Sequence, residues 1–196
     1  MQRFLFFIDR ISTWVGKSFA WCIVLLTAVV AYDVVMRKLG DPTVWAFDLS
    51  WMLYGALFLM AGAYTLSRNG HVRGDVLYGY FPPRMQAGLD LVLYFAFFVP
   101  GILALAYAGI GYAETSWAQK ETSYNSADII IYPVKVLIPI AGMLVFLQGI
   151  AEIIRCVQCL RTGQWPGRAH DVEEVDVEEL KQMIGVKDSD IAGAKP

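Results

Sequence analysis

The sequence predicts an all-α integral membrane protein with four transmembrane helices. Hydrophobic residues make up 57% of the 196-residue chain, and charged residues make up only 17%. Four long apolar stretches hold most of the hydrophobic residues and few of the ionisable ones. At about 1.5 Å of rise per residue, each stretch can cross the roughly 30 Å hydrocarbon core of a bilayer. This composition excludes a disordered chain and an ordinary soluble domain.

The four apolar stretches define a membrane domain over residues 1–168. Small residues are frequent within the second and third stretches, where they allow helices to approach closely. This favours packing within the bundle, docking to a larger membrane subunit, or both. The predicted spans cover residues 14–36, 44–66, 87–113 and 129–154.

Two segments flank the predicted spans. Residues 2–13 predict an amphipathic helix at the membrane interface, with its apolar face at helical spacing. Residues 169–196 form an acidic tail, because the chain from Asp171 onward holds 8 Asp+Glu and only 3 Lys+Arg. We expect this tail to be dispensable for assembly. The predicted apolar face of the first segment consists of Phe4, Phe7, Ile8 and Ile11.

The distribution of Lys and Arg predicts the orientation. Outside the acidic tail, nine of these residues lie at or near the ends of the spans on the side of the termini, and four lie on the opposite side. The nine are Arg3, Arg10, Lys17, Arg68, Arg73, Arg84, Arg155, Arg161 and Arg168, and the four are Arg37, Lys38, Lys120 and Lys135. Because positive charge is retained in the cytoplasm, both termini are predicted to be cytoplasmic. The protein is therefore predicted to be a multi-pass membrane protein, with residues 37–43 and 115–128 on the outer side.

The ionisable residues near the spans predict structural charge pairs. Asp33 and Arg37 are four residues apart and can pair on one helix face. Asp48 and Lys135 both lie near the outer surface in this topology, so a pair between their helices is expected. Glu152 and Arg155 at the inner end are expected to reach headgroups or water by snorkelling.

The outer loops carry the candidate contacts with a periplasmic partner. Mixed charges around exposed aromatic side chains suit a transient interface. The alternative is solvated loop charge with no partner. The candidate contacts are Asp41, Trp117, Lys120 and Glu121.

No motif of enzyme chemistry is evident in the sequence. It contains no Gly-rich phosphate loop, no His-Glu-x-x-His helix and no serine nucleophile elbow. Both histidines, His71 and His170, fall in predicted cytoplasmic segments. We therefore expect no catalytic residue, no cofactor, no metal and no nucleic-acid partner.

The order and spacing of several residues resemble a known family. The run Arg37…Trp45-Ala-Phe-Asp48…Gly62-Ala63…His71-Val72-Arg73-Gly74-Asp75…Pro82-Pro83-Arg84 is similar to the small membrane subunit (DctQ-like) of tripartite ATP-independent periplasmic (TRAP) transporters. The run Tyr132-Pro133-Val-Lys135…Ile138-Pro139…Leu147-Gln148-Gly149 resembles the fourth span of that family. Asp48 stands where Glu is commoner, and Gly74 stands where an apolar residue is usual.

The resemblance implies a non-enzymatic scaffolding subunit. In such transporters a periplasmic binding protein delivers an organic acid to a large multi-span subunit, which transports it with a sodium gradient. The small subunit is thought to brace the large one. The expected partners are therefore the large TRAP membrane subunit, the periplasmic substrate-binding protein and membrane lipids.

Two other functions compete with this interpretation. A stand-alone proton-coupled exporter would use Asp33 or Asp48, and it predicts an acid near the middle of the bilayer. A membrane redox subunit would use Cys156 and Cys159, and it predicts an intramembrane His or a second Cys pair. The sequence shows neither feature.

Overall fold

The computed structural model describes residues 2–70, 78, 80–125 and 127–167, and within this part the chain is helical without a β-strand. Four helices are long and apolar enough to span a membrane: α1 (Gln2–Leu39), α2 (Ala46–Ser67), α3 (Pro83–Ala118) and α4 (Tyr132–Thr162). The prediction of an all-α fold with four spanning helices is confirmed. The predicted acidic tail and the segment His71–Asp75 lie outside the described residues.

The helices are arranged with α2 and α4 in the centre and α1 and α3 flanking them. α1 packs along α2, α2 packs on α4, and α4 packs on α3. Each helix has a most apolar stretch of 18 residues. No residue of this stretch is buried in α1 or α3, whereas 22% of it is buried in α2 and 33% in α4. The two flanking helices therefore leave long apolar faces uncovered by the rest of the chain.

We use "outer end" for the end of the bundle that carries residues 40–45 and 119–131, and "inner end" for the opposite end, following the predicted orientation. That orientation stays a prediction. The 22 residues of α2 span about 33 Å, close to the thickness of the hydrocarbon core. The 38 residues of α1 and the 31 of α4 exceed this length, and both helices extend past α2 at the inner end.

The predicted amphipathic segment is the first part of α1 and continues into the span without a break. Its buried residues are Leu5, Ile8, Asp9, Ser12 and Gly16. Of the predicted apolar face, Ile8 is buried, and Phe4, Phe7 and Ile11 are exposed. An apolar face can remain towards lipid, whereas polar groups need protein partners. Placement of this segment at the membrane interface stays a prediction.

Two prolines coincide with irregular turns inside the spanning helices. Tyr94–Phe98 of α3 form a π-helical turn directly before Pro100. In α4 the α-helix is interrupted at Val136, between Tyr132–Lys135 and Leu137–Thr162, three residues before Pro139. Because proline cannot donate to the carbonyl four residues earlier, the preceding turn must rearrange. Both rearrangements shape the packing of α3 against α4.

Glycines provide the close approaches between the helices. A Cβ on Gly149 would overlap the ring of Phe98, and a Cβ on Gly16 would overlap Tyr64. A Cβ on Gly109 would lie 2.9 Å from Ile138. By contrast, a Cβ on Gly55, Gly101 or Gly111 would meet open space. Some of the small residues therefore serve packing within the chain, and others lie on uncovered faces.

Candidate functional site

The buried polar side chains of the described residues fall into two groups, one near each end of the bundle. The outer group lies where the 119–131 loop meets the start of α2, and the inner group lies where the start of α1 meets the last turns of α4. Near the outer end are Asp48, Ser116 and Ser123; near the inner end are Asp9, Ser12, Ser67, Asp90, Gln148, Glu152 and Arg155.

Asp48 organises the outer group. It lies in the first turn of α2 and is buried. Its carboxylate accepts a hydrogen bond from the Ser123 hydroxyl at 2.5 Å and another from the Asn125 side-chain amide. A buried carboxylate needs such donors, because desolvation of the charge is costly when it is unpaired. Asp48 therefore fastens the 119–131 loop to α2.

Lys135 fastens the same loop to α4. Its ammonium pairs with the Glu121 carboxylate and lies 4.1 Å from the centre of the Tyr112 ring. The hydrogen bond from Lys135 is the main cause that lowers the pKa of the Glu121 carboxyl below its ordinary value of 4.5. The predicted Asp48–Lys135 pair was wrong, because the loop between α3 and α4 supplies a separate partner to each residue.

Backbone hydrogen bonds also join the two sides of the loop at its described residues. Thr122 and Ile130 face each other in an antiparallel bridge, with hydrogen bonds from Ser123 N to Ile129 O at 2.7 Å and from Ile131 N to Glu121 O at 3.1 Å. Trp117 and Tyr132 pack edge to face at 4.8 Å where the two helices enter the loop. The outer loop, residues 119–131, is thus held by α2, by α4 and by its own hydrogen bonds.

The four predicted outer contacts differ in their surroundings. Asp41 and Lys120 are exposed, and the Trp117 ring is 55% exposed. Glu121 is half-buried in its pair with Lys135, so it acts within the fold. The aromatic side chain of Tyr124, in the same loop, has an exposed fraction of 96%. Whether any of these residues contacts a partner stays a prediction.

Asp33 and Arg37 form the ion pair that their spacing predicts, with Arg37 Nε 2.7 Å from Asp33 Oδ2. The Thr43 hydroxyl donates to the other oxygen of the same carboxylate. This second contact joins the end of α1 to the turn before α2. Gly40, at a φ of +88°, provides the left-handed residue that this turn requires. Asp33 is therefore occupied in fixing a loop at the outer end.

Five residues of the inner group form a buried network between α1 and α4: Asp9, Ser12, Gln148, Glu152 and Arg155. Arg155 donates to Asp9 on α1 and to Glu152 on its own helix. Gln148 accepts from the Ser12 hydroxyl at 2.9 Å and donates to Asp9 at 2.9 Å. Sequence reasoning assigned Glu152 and Arg155 to headgroups or water, which was wrong, since Glu152 is 2% exposed and Arg155 is 1% exposed. The available signal was the spacing of Asp9 and Ser12, which places both on one helix face.

A second set of contacts closes the inner end. The Trp165 indole donates to Gln86 Oε1 at 3.1 Å, and Gln86 donates to the carbonyl of Phe81 at 3.0 Å. Cys156 and Cys159 are buried beside Ala87. Among the described residues, no group of three or more His, Cys, Asp or Glu side chains is placed to hold a metal ion.

Residues 26–159 match the DctQ component of tripartite ATP-independent periplasmic transporters. The chain belongs to this family. No curated protein matches the chain. The DctQ family is a transporter component and not an enzyme family, and it works in a complex with a large membrane subunit and a periplasmic binding protein.

The match to the DctQ family covers the two polar groups unequally. Asp48, the outer loop and Lys135 all fall within it. Of the inner network, Gln148, Glu152 and Arg155 fall within the match, whereas Asp9 and Ser12 precede it. The match therefore includes the second part of α1, the other three spanning helices up to residue 159 and the outer loop, and it leaves out the first 24 residues of α1.

Proposed function

We propose that this chain is a scaffolding subunit that braces the large, sodium-coupled subunit of a TRAP transporter in a bacterial inner membrane. The large subunit would take up an organic acid that a periplasmic binding protein delivers. The observation that carries this proposal is the uncovered apolar surface of α1 and α3, whose most apolar stretches contain no buried residue. A helix of this kind is covered by lipid or by another membrane subunit.

The placement of the polar groups supports a scaffolding role. A transport site usually needs ionisable or polar groups that face a cavity near the middle of the membrane. In the described residues the buried polar groups lie towards the two ends and are engaged in holding helices and loops. The exporter alternative would use Asp33 or Asp48, and both are bound to neighbouring side chains at the outer end.

The exposed small residues of α3 support a specific face for the large subunit. Gly101, Ala104, Ala108 and Gly111 recur at spacings of three and four and are all exposed. Small residues at this spacing let a second helix approach closely. The exposed face of α1 instead carries Trp14 and Trp21. We propose that α3 meets the large subunit.

Reconstitution tests the proposed function directly. The chain, the large subunit and the binding protein are expressed together, and uptake is measured in proteoliposomes with an inward sodium gradient. We expect uptake to require all three proteins and the gradient. Transport by the chain alone, recovered as a stable oligomer, would contradict the proposal.

A glycine scan tests the proposed face. Gly101→Leu and Gly111→Leu add a side chain to open space on α3, so the chain itself should still fold. Gly55→Leu on α2 is the matched control, because its Cβ also meets open space. We expect the two α3 variants to lose co-purification of the large subunit and the control to retain it. Loss in the control alone would place the contact on α2.

A further inference from the structure

Tyr124 is the most exposed large hydrophobic side chain in the described part of the chain, at 96%. It lies in the outer loop, beyond the ends of the spanning helices, and not on a lipid-facing helix. Tyrosine is one of the residues that most often anchor protein interfaces, because its ring buries a large area and its hydroxyl can still bond. An exposed ring in this position is suited to insertion into a partner.

The orientation of Tyr124 follows from its two neighbours. The side chains of Ser123 and Asn125 both bind the Asp48 carboxylate. The backbone amide of Asn125 also binds the Ser123 hydroxyl at 3.2 Å. Tyr124 lies between these two residues and is 96% exposed, whereas Asp48 is buried, so the Tyr124 ring projects away from Asp48.

The loop that carries Tyr124 is ordered on both sides. The Thr122–Ile130 bridge closes it, and the Glu121–Lys135 pair fastens its base. Lys120 and Asp128 adopt left-handed conformations, with φ of +47° and +46°, that set its two bends. A side chain held on an ordered loop loses less conformational freedom when it binds. The loop therefore resembles a preorganised docking element.

We propose that Asp48 is a positioning residue that holds the outer loop so that Tyr124 anchors the periplasmic binding protein. This inference rests on the proposed function, since it needs a binding protein that delivers substrate. The partner surface would be an apolar pocket with a polar rim of mixed charge, because the same loop carries the exposed residues Lys120 and Asp128, which have opposite charges. Asp48 itself is 7% exposed and acts through the loop.

The test measures sodium-driven uptake by the reconstituted complex as a function of binding-protein concentration. Tyr124→Ala should raise the half-saturating concentration about tenfold, and the maximal rate should be retained. Asp48→Asn should raise it about three- to fivefold, because the amide replaces a charged acceptor of two hydrogen bonds. Tyr80→Ala is the control, since that ring is 84% exposed near the inner end.

A double variant separates positioning from general damage. If Asp48 acts through Tyr124, Asp48→Asn combined with Tyr124→Ala should be no worse than Tyr124→Ala alone. If the double variant raises the half-saturating concentration by the product of the two single increases, the inference is overturned. If Asp48→Asn lowers the maximal rate and leaves the half-saturating concentration unchanged, that result would also overturn the inference.

An engineered disulfide across the loop should restore docking in the Asp48→Asn variant. Thr122 and Ile130 are a non-hydrogen-bonded antiparallel pair, for which the Cα atoms lie about 4.5 Å apart, within the range that a disulfide accepts. Thr122→Cys with Ile130→Cys should restore the half-saturating concentration of Asp48→Asn to within about twofold, and reduction should remove the rescue. If the oxidised disulfide does not lower the half-saturating concentration of Asp48→Asn, the result contradicts a positioning role for Asp48.

The outcomes distinguish the two proposals. If wild-type uptake does not depend on the binding protein, the proposed function fails. If wild-type uptake saturates with the binding protein and Tyr124→Ala leaves the curve unchanged, only the present inference fails. A Tyr124→Ala variant that loses affinity for lipid vesicles and keeps the wild-type curve would assign the ring to headgroups instead, and would also overturn the inference.

Discussion

The two ends of the bundle use buried polar groups for different purposes. At the outer end, Asp48 and Lys135 each hold one part of a short loop, and their partners lie within residues 121–125. At the inner end, Arg155 holds a helix that lies 146 residues away in sequence. The outer contacts order a surface, whereas the inner contacts join the first helix to the last. Removal of one partner should therefore change docking at one end and the fold itself at the other.

The largest expected effect is at the inner end. Arg155→Met leaves the Asp9 and Glu152 carboxylates buried without their cation. Breaking a buried pair in this way costs about 3–5 kcal/mol of folding free energy. Denaturant unfolding in detergent measures the loss. Arg161→Met is the control, because Arg161 is exposed in the last turn of the same helix. Equal stabilities for the two variants would remove the distinction between the ends.

A somewhat smaller loss of folding free energy is expected at Gly149, where α3 packs on α4 next to the inner network. Gly149→Ala places a Cβ against the ring of Phe98 in the π-helical turn. Overpacking of this kind costs about 1–3 kcal/mol. Thermal unfolding of the purified chain checks the value. Gly101→Ala adds the same methyl group to open space and should leave stability unchanged or slightly raised. A stable Gly149→Ala variant would show that Phe98 can move aside freely.

At the outer end, reversal of an exposed loop charge should affect docking and leave assembly intact. Lys120→Glu changes an exposed charge without touching the Glu121–Lys135 pair, so it is a cleaner variant than reversal of both Lys120 and Glu121. We expect the half-saturating binding-protein concentration to change by roughly two- to fivefold at low salt. The change should disappear at high salt because exposed charges are screened. An effect independent of salt would argue against an electrostatic contact.

The smallest expected effect is the change in stability of the outer loop with pH. Because Lys135 lowers the pKa of Glu121 below 4.5, the pair stabilises the folded loop at neutral pH. This contribution is fully present above the ordinary pKa and is lost as pH falls through the lowered pKa. Amide hydrogen exchange of residues 121–131, corrected for the intrinsic effect of pH, should show loosening below about pH 4.5. Glu121→Gln should remove this pH dependence, and an unchanged dependence in that variant would assign it to another group.

The sequence alone was sufficient for the features that depend on local pattern. Four apolar stretches gave the four helices, and the spacing of Asp33 and Arg37 gave their ion pair. The Asp9–Arg155 and Asp48–Ser123 contacts join residues 146 and 75 positions apart, and no local pattern encodes such pairs. The assignment of Asp48 to Lys135 failed because both residues lie at the same depth, and depth does not determine which helix faces meet.

The first helix shows a second reason why local patterns did not predict the contacts. The periodicity of Phe4, Phe7, Ile8 and Ile11 predicts an apolar face at the membrane interface, but it does not identify the face that packs against the rest of the chain. In a bilayer the same face can remain in contact with lipid, and the buried face is the one with Asp9 and Ser12. Sequence reasoning for membrane helices therefore gains from following the polar residues as well as the apolar ones.

The length of α1 and its contact with α4 have a consequence for biosynthesis. Asp9 leaves the ribosome 146 residues before Arg155, and Ser12 leaves it 136 residues before Gln148. Throughout translation of the first three spans, the polar face of α1 has no partner on α4. Insertion of the fourth span supplies that partner, so a chain truncated before residue 148 exposes two polar groups that α4 otherwise covers. The network thereby makes the packing of the first spanning helix depend on synthesis of the fourth.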